Sequence, residues 1–220
     1  RDGDTVVYKR VPLEVVADSP VYAGKHYKQI DLAPGAKVPV RLNVVADEAK
    51  YLETKPAHIE QHRALVGQAL KLYGAQHYDH YDFLLSLSNQ MAGNGLEHQR
   101  SSENGQELGY FSEWDAKKGS DDLLGHEFTH SWNGKYRRPT GLATPDFQQP
   151  MEGELLWVYE GLTTYLGLVL TARCGLWSEE TFRQKLALEA ARLDRQSGRT
   201  WRSLVDTAVA AQLLYDARSE

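Results

Sequence analysis

The stretch GHEFTHSWNG, residues 125–134, carries two histidines and a glutamate in the pattern His-Glu-x-x-His. On a helix, His126 and His130 would lie about 40° apart around the axis, so that both side chains could reach one ion. Glu127 would be turned about 100° from His126, near the ion but not aimed at it, as a general base should be. The stretch therefore predicts either a zinc site or a helix with a surface pair of histidines.

The residues around this pattern predict how the helix begins, ends and packs. Ser120 or Asp121 can cap a helix over 122–133, and Gly134 stands where such a helix would stop. A second stripe on the same helix is apolar and would anchor it in a core. It consists of Leu124, Phe128 and Trp132.

A second segment, ELLWVYEGLTTYLGLVLTA (154–172), is predicted to be a buried helix because it is apolar on nearly every face. Glu160 is its only charge between Leu155 and Ala172. A buried carboxylate without a partner costs several kcal/mol, so Glu160 needs a cation close by. That cation would be zinc, with Glu160 as third protein ligand in an open, catalytic type of site, or it would be an arginine. The candidate arginines are Arg137, Arg138 and Arg173.

The composition narrows the class of protein. The 220 residues suffice for one domain, or for one domain and a fragment of another, and 41% of them are hydrophobic. A formal net charge of −5 and a pI near 5.9 argue against nucleic acid as the main partner. No apolar run reaches the length of a membrane span, so a soluble protein is expected. The lone Cys174 excludes an internal disulfide and leaves both cytoplasm and periplasm open as the compartment.

The order of the predicted elements, strands first and helices after, favours an α+β fold. Residues 1–47 have the alternation and the turns of strands, whereas 55–73 have the apolar period of a helix. The apolar run 81–88 is predicted to be a strand, and 89–111 a loop with a possible further strand. A third helix is predicted over 178–196, with an apolar stripe that packs on the core of the chain.

Three motifs together resemble the glycyl aminopeptidase family of zinc metallopeptidases, which belongs to the wider thermolysin-like group. They are HEFTHSWN (126–133), WVYEGLTTYLG (157–167) and GLEHQRS (95–101). The resemblance also covers SPVYAG (19–24), YDHYDFLLSLS (78–88) and SLVDTAVAAQLLY (203–215). It implies a thermolysin-like zinc peptidase catalytic domain over 48–220, truncated at its C-terminal end. Residues 1–47 would then be the C-terminal part of an N-terminal β-rich domain.

Carried over position by position, the resemblance implies a complete metal site. The ligands of one zinc ion per chain would be His126, His130 and Glu160, with Glu127 as the general base. Glu97 would receive the α-ammonium group of the substrate, since an exopeptidase must count from a free terminus. Otherwise Glu97 is an ordinary exposed strand residue. His98 is a weaker candidate for lining the same site.

The function implied by the resemblance is a zinc aminopeptidase that removes small N-terminal residues, glycine or alanine, from peptides. A zinc endopeptidase of thermolysin type, which has no use for Glu97, and a catalytically silent peptide-binding module are the alternatives. Family members carry a PDZ-like module on the C-terminal side, and thermolysin-like aminopeptidases stabilise the oxyanion with a tyrosine from a later helix. Neither Tyr159 nor Tyr165 matches that motif, so the tyrosine is expected beyond Glu220. Loss of one such donor typically costs about 10²–10³ in rate, and poor activity is expected of this chain alone.

Overall fold

The computed structural model describes residues 5–117, 122–146 and 148–214, so the cap predicted at Ser120 or Asp121 lies outside the described residues. The strands are β1 (His26–Asp31), β2 (Val40–Ala46), β3 (Tyr81–Leu87), β4 (Gly95–Glu97) and β5 (Ser101–Gln106). The α-helices are α1 (Leu13–Ala17), α2 (Pro56–Tyr73), α3 (Trp114–Lys117), α4 (Leu123–His130), α5 (Thr163–Arg173), α6 (Glu179–Asp194), α7 (Leu204–Val209) and α8 (Ala211–Leu214). A π-helix, Trp157–Leu162, leads directly into α5. The predicted α+β class is confirmed.

The strands form one mixed sheet in the order β1-β2-β3-β5-β4. The two outer pairs, β1 with β2 and β4 with β5, are antiparallel, whereas β2, β3 and β5 run parallel to one another. Because β2 pairs with β3, the sheet crosses the domain boundary that is predicted after residue 47. The division of the chain into two domains there stays a prediction.

The helix α4 is anchored by the apolar stripe that the sequence predicts. Phe128 is fully buried, and its ring lies 4.6 Å from that of Tyr81 and 5.0 Å from that of Phe83, both on β3. Leu124 and Trp132 are buried on the same side of the helix. This packing fixes α4 against the sheet and turns its opposite face, which carries the histidines, away from the core.

The part of the chain before β1 differs from its prediction as a series of strands. Residues 13–17 form the short helix α1, and the rest of 6–25 has no strand pairing. Pro12 precedes this helix, and the amides of Val15 and Val16 both bond to its carbonyl oxygen. Proline has no amide hydrogen for the hydrogen bonds between strands, but it is tolerated at the start of a helix. Pro12 therefore favours a helix over a strand in this segment.

Two predictions about burial were wrong. The segment 154–172 is not enclosed, because Trp157, Leu162 and Tyr165 are between 42% and 50% exposed. No residue of α6 is buried, so its apolar stripe does not pack on the core of the described chain. An apolar sequence indicates that a helix can be buried, but the packing of the other elements decides which of its faces is buried.

Among the described residues, no helix is long and apolar enough to cross a membrane.

The helices α4 and α5 approach each other closely at two glycines. A Cβ at Gly167 would lie 3.0 Å from the Cα and backbone nitrogen of His126, and a Cβ at Gly125 would lie 3.1 Å from the carbonyl oxygen of Gly167. A side chain at either position would be closer to its neighbours than most real Cβ contacts, so the two glycines permit this approach without a shift of the backbone. The contact holds α5, and the π-helix that precedes it, beside the histidines of α4.

We expect Gly167→Ala to lower the free energy of unfolding by about 1–3 kcal/mol, because the new methyl group would lie 3.0 Å from backbone atoms of His126 and would force the two helices apart slightly. Gly67→Ala in α2 is the matched control, since Gly67 is an exposed helical glycine with open space around its Cα. That control should gain up to about 1 kcal/mol from helix propensity alone. Urea denaturation of both variants measures the difference. Equal stabilisation by the two alanines would show that the helices are free to separate.

Candidate metal centre

Three side chains from α4 and the π-helix converge on one point. The Nε2 atoms of His126 and His130 are 3.1 Å apart, and Oε2 of Glu160 lies 3.4 Å and 3.5 Å from them. Two ligands that bind one tetrahedral zinc ion at its usual bond lengths of about 2.0–2.1 Å are separated by about 3.3 Å. The three observed distances fit that value, so these residues form a group that could hold a metal ion.

The other ring nitrogen of each histidine faces an oxygen atom. Nδ1 of His130 lies 3.1 Å from the carbonyl oxygen of Asn133 and 3.4 Å from the hydroxyl of Thr163. Nδ1 of His126 lies 3.5 Å from the hydroxyl of Thr164. Metal-binding histidines generally donate their second N–H group to such an oxygen, which leaves Nε2 with a free electron pair. The surroundings therefore favour the tautomers that a metal site requires.

Asn133 joins the end of the histidine motif to the π-helix. Its side-chain amide donates to the carbonyl oxygen of Val158 at 3.0 Å and to the hydroxyl of Thr163 at 3.0 Å. The helix α4 ends at His130, earlier than predicted, and the chain then turns through Gly134, whose φ of 140° favours glycine. The hydrogen bonds of Asn133 hold the π-helix, which carries Glu160, against the end of α4.

Glu160 differs from its prediction as a buried carboxylate, because its side chain is 48% exposed. Partial burial raises the pKa of Glu160, but the interactions of its carboxylate with His126 and His130 outweigh this effect and lower the pKa to about 2. Both ion-pair partners found for Glu160 in the described part of the chain are histidines, and none is an arginine.

Glu127 lies beside this group but is not part of it. Its side chain is buried, with an exposed fraction of 5%, and Oε2 has no hydrogen-bond partner among the described residues. Burial raises the pKa of Glu127 to about 8; the charge of His126 opposes the shift, and those of Glu97 and Glu160 add to it. A buried carboxyl oxygen without a partner and with a pKa near neutrality is suited to exchanging protons with a bound reactant.

Glu97 lies on the edge strand β4, which passes close to α4. Gly95 permits this approach, since a Cβ there would lie 2.7 Å from the side chain of Leu123. Carboxylate oxygens of Glu97 and Glu127 and a ring nitrogen of His130 all lie within 4.8 Å of one another. Glu97 is half-buried. It therefore stands at the margin of the metal-binding group, although 30 residues separate it from Glu127 in the sequence.

His98, the neighbour of Glu97, points elsewhere. Its Nδ1 lies 3.1 Å from a carboxylate oxygen of Asp18, and its Nε2 lies 3.2 Å from one of Glu103. Both ring nitrogens are thus engaged inside the fold, and the ring is buried. The structure does not bring His98 together with the candidate metal ligands or with Glu127, and its contact with Asp18 instead holds the segment around Asp18 against the sheet.

Tyr159 lies at the site, although the sequence did not predict a role for it. Its hydroxyl donates to Oε1 of Glu97, and its ring lies 4.7 Å from the ring of His130. The motif of an oxyanion-binding tyrosine does not identify Tyr159, because the hydroxyl of Tyr159 bonds to a carboxylate of the protein itself. Its position next to Glu160 in the sequence was the one available signal.

Residues 120–220 match the sequence model of the M61 glycyl aminopeptidase family. Among solved structures, the chain resembles an aminopeptidase N family protein from Idiomarina loihiensis, with 20% sequence identity and a TM-score of 0.69. The likeness covers 87% of this chain and 32% of that one, so the chain spans about a third of the length of this relative. At this identity the likeness concerns the fold. A comparison with curated proteins gave no match.

Proposed function

We propose that the chain, whose residues 120–220 match the model of the M61 glycyl aminopeptidase family, is a zinc-dependent aminopeptidase of thermolysin-like fold. Its substrates would be peptides with a free N-terminus, with a preference for small first residues such as glycine or alanine. His126, His130 and Glu160 would hold one zinc ion per chain. Glu127 would act as general base, and Glu97 would bind the α-ammonium group.

The observation that carries the proposal is the arrangement of the three donor atoms. Two imidazole nitrogens and one carboxylate oxygen, 3.1–3.5 Å apart, are the donor set and the spacing that suit zinc. Three protein ligands leave one position for a reactant, as in catalytic rather than structural zinc sites. When bound, the ion would polarise the scissile carbonyl group and make a water molecule more acidic.

Glu127 would supply the proton transfers of the hydrolysis. Its unpartnered Oε2 would take a proton from the attacking water, whose oxygen forms the new bond to the carbonyl carbon. As the C–N bond breaks, the same carboxyl group would return the proton to the leaving amine. The burial of Glu127 supports this role, because a poorly hydrated carboxylate is a stronger base than an exposed one.

Glu97 would decide that cleavage occurs one residue from the N-terminus. A carboxylate within 4.8 Å of the general base leaves room for a single residue between the ammonium group and the scissile bond. A hydrogen bond between two charged groups contributes more than a neutral one, about 1.5–3 kcal/mol. This recognition separates an aminopeptidase from an endopeptidase with the same metal site.

The test compares a glycyl peptide with its N-acetylated form, for wild type and for Glu97→Gln. Wild type should cleave the free peptide only, and Glu97→Gln should raise KM for it about 10–100-fold. Glu53→Gln, which removes an exposed carboxylate, is the control and should change neither constant. Cleavage of the acetylated peptide at an equal rate would favour the endopeptidase. Binding without cleavage would favour a silent peptide-binding module.

A further inference from the structure

Tyr159 has three contacts that the proposed reaction does not by itself require. Its hydroxyl donates to Glu97, its ring contacts the ring of His130 at a tilt of 35°, and its edge faces Gly134. A Cβ at Gly134 would lie 2.6 Å and 2.9 Å from two carbon atoms of the tyrosine ring. The ring therefore occupies a slot that only glycine leaves open, and its orientation is fixed from two sides.

The π-helix directs neighbouring residues at two parts of the site. Tyr159 reaches Glu97 on β4, and Glu160 reaches the two histidines of α4. Single π-helical turns occur often at functional sites, where they change the direction of side chains relative to an α-helix. Asn133 bonds to the backbone of this same turn, so one short segment sets the position of both side chains.

We propose that Tyr159 is a positioning residue for amino-terminal recognition: its hydroxyl holds Oε1 of Glu97 and thereby aims the other carboxylate oxygen at the substrate's ammonium group. The inference deepens the proposed function and rests on it. A tyrosine hydroxyl is a hydrogen-bond donor at neutral pH, so it can give its proton to a carboxylate oxygen. A free glutamate on an edge strand would sample several rotamers, and the hydrogen bond selects one of them.

The hydrogen bond from Tyr159 would give the two carboxylate oxygens of Glu97 different roles. Oε1 of Glu97 is occupied by a neutral donor that cannot leave, whereas a peptide ammonium group is a charged donor that comes and goes. A carboxylate accepts several hydrogen bonds, so the tyrosine does not compete with the substrate. Tyr159 would act through Glu97 and would have no part in the chemical step itself.

The test is a double-mutant cycle on steady-state kinetics with glycyl p-nitroanilide. Tyr159→Phe keeps the ring on His130 and should raise KM about 10-fold, with kcat within about threefold of wild type. In the Glu97→Gln background the same change should have almost no further effect, because the group that it positions is gone. Tyr165→Phe, at an exposed tyrosine six residues further along, is the control and should match wild type.

A second measurement does not depend on turnover. In the Glu127→Gln background, calorimetry gives the dissociation constant of an intact Gly-Ala-Ala peptide, which Tyr159→Phe should raise about 10-fold. An effect that adds to that of Glu97→Gln, or a loss confined to kcat, overturns the inference while the aminopeptidase proposal stands. If Glu97→Gln itself leaves KM and the dissociation constant unchanged, the proposed role of Glu97 has failed, and the inference about Tyr159 fails with it.

Discussion

Glu127→Gln is expected to reduce kcat by about 10³-fold while the chain keeps its zinc, a loss within the range of general acid–base catalysis. Glutamine has nearly the same shape as the glutamate but cannot accept a proton at neutral pH. The side chain is buried between α4 and β4, and Oε2 has no hydrogen-bond partner in the described part of the chain. The substitution therefore removes the base without breaking a hydrogen bond that the fold needs.

Metal content and activity have to be measured on the same preparation, because only their combination tests the role. Glu127→Asp is a useful companion, since it keeps the carboxylate but withdraws it by one methylene group. We expect a smaller loss for this variant than for the glutamine. Turnover above a few per cent of wild type in Glu127→Gln would contradict the assignment of Glu127 as the base. Loss of zinc in that variant would instead make Glu127 a ligand.

The local part of this site is predictable from the sequence, because it depends on helix geometry alone. Two histidines four residues apart on one helix must lie on one face, and the apolar stripe formed by Leu124, Phe128 and Trp132 must turn to the core. The structure has both features, with the two Nε2 atoms 3.1 Å apart. Glu160 was found by a different argument, as the lone charge in an apolar segment.

The reason given for Glu160 was nonetheless incomplete. The sequence predicts a buried carboxylate at this position, whereas the side chain is about half exposed and lies on an open side of the π-helix. Periodicity could not reveal this, because a segment that is apolar on all faces has no preferred side. Which face is covered depends on α4 and its two close glycine contacts, and these come from distant parts of the chain.

The contact between Tyr159 and Glu97 could not be predicted from the sequence for a similar reason. The residues are 62 positions apart, and they meet because β4 is the last strand of the sheet and Gly95 lets it approach α4. No periodicity of either segment encodes that approach. His98 shows the converse case, since it is adjacent to Glu97 in sequence but is engaged with Asp18 and Glu103.

Glu160→Ala is expected to weaken zinc binding by more than about 100-fold, because loss of a ligand should exceed the 10–100-fold cost of losing an outer hydrogen-bond partner. Wild type should retain about one zinc ion per chain after exhaustive dialysis, and the variant almost none. Because Glu160 is half-exposed, alanine at this position creates no buried cavity, and a loss of zinc can be attributed to the lost ligand rather than to a destabilised fold. Glu154→Ala, at an exposed glutamate of the same segment, is the control and should bind zinc like wild type.

The structure also contains a second possible metal site, which this experiment must exclude. Glu97, Glu127 and His130 form a second group of possible ligands, which shares one histidine with the first. Zinc that persists in Glu160→Ala but is lost in Glu97→Gln would assign the ion to this second group. Glu97 would then be a ligand and could not serve as the ammonium receptor. Zinc lost in Glu160→Ala and kept in Glu97→Gln separates the two carboxylates, one for the metal and one for the peptide terminus, as the aminopeptidase proposal requires.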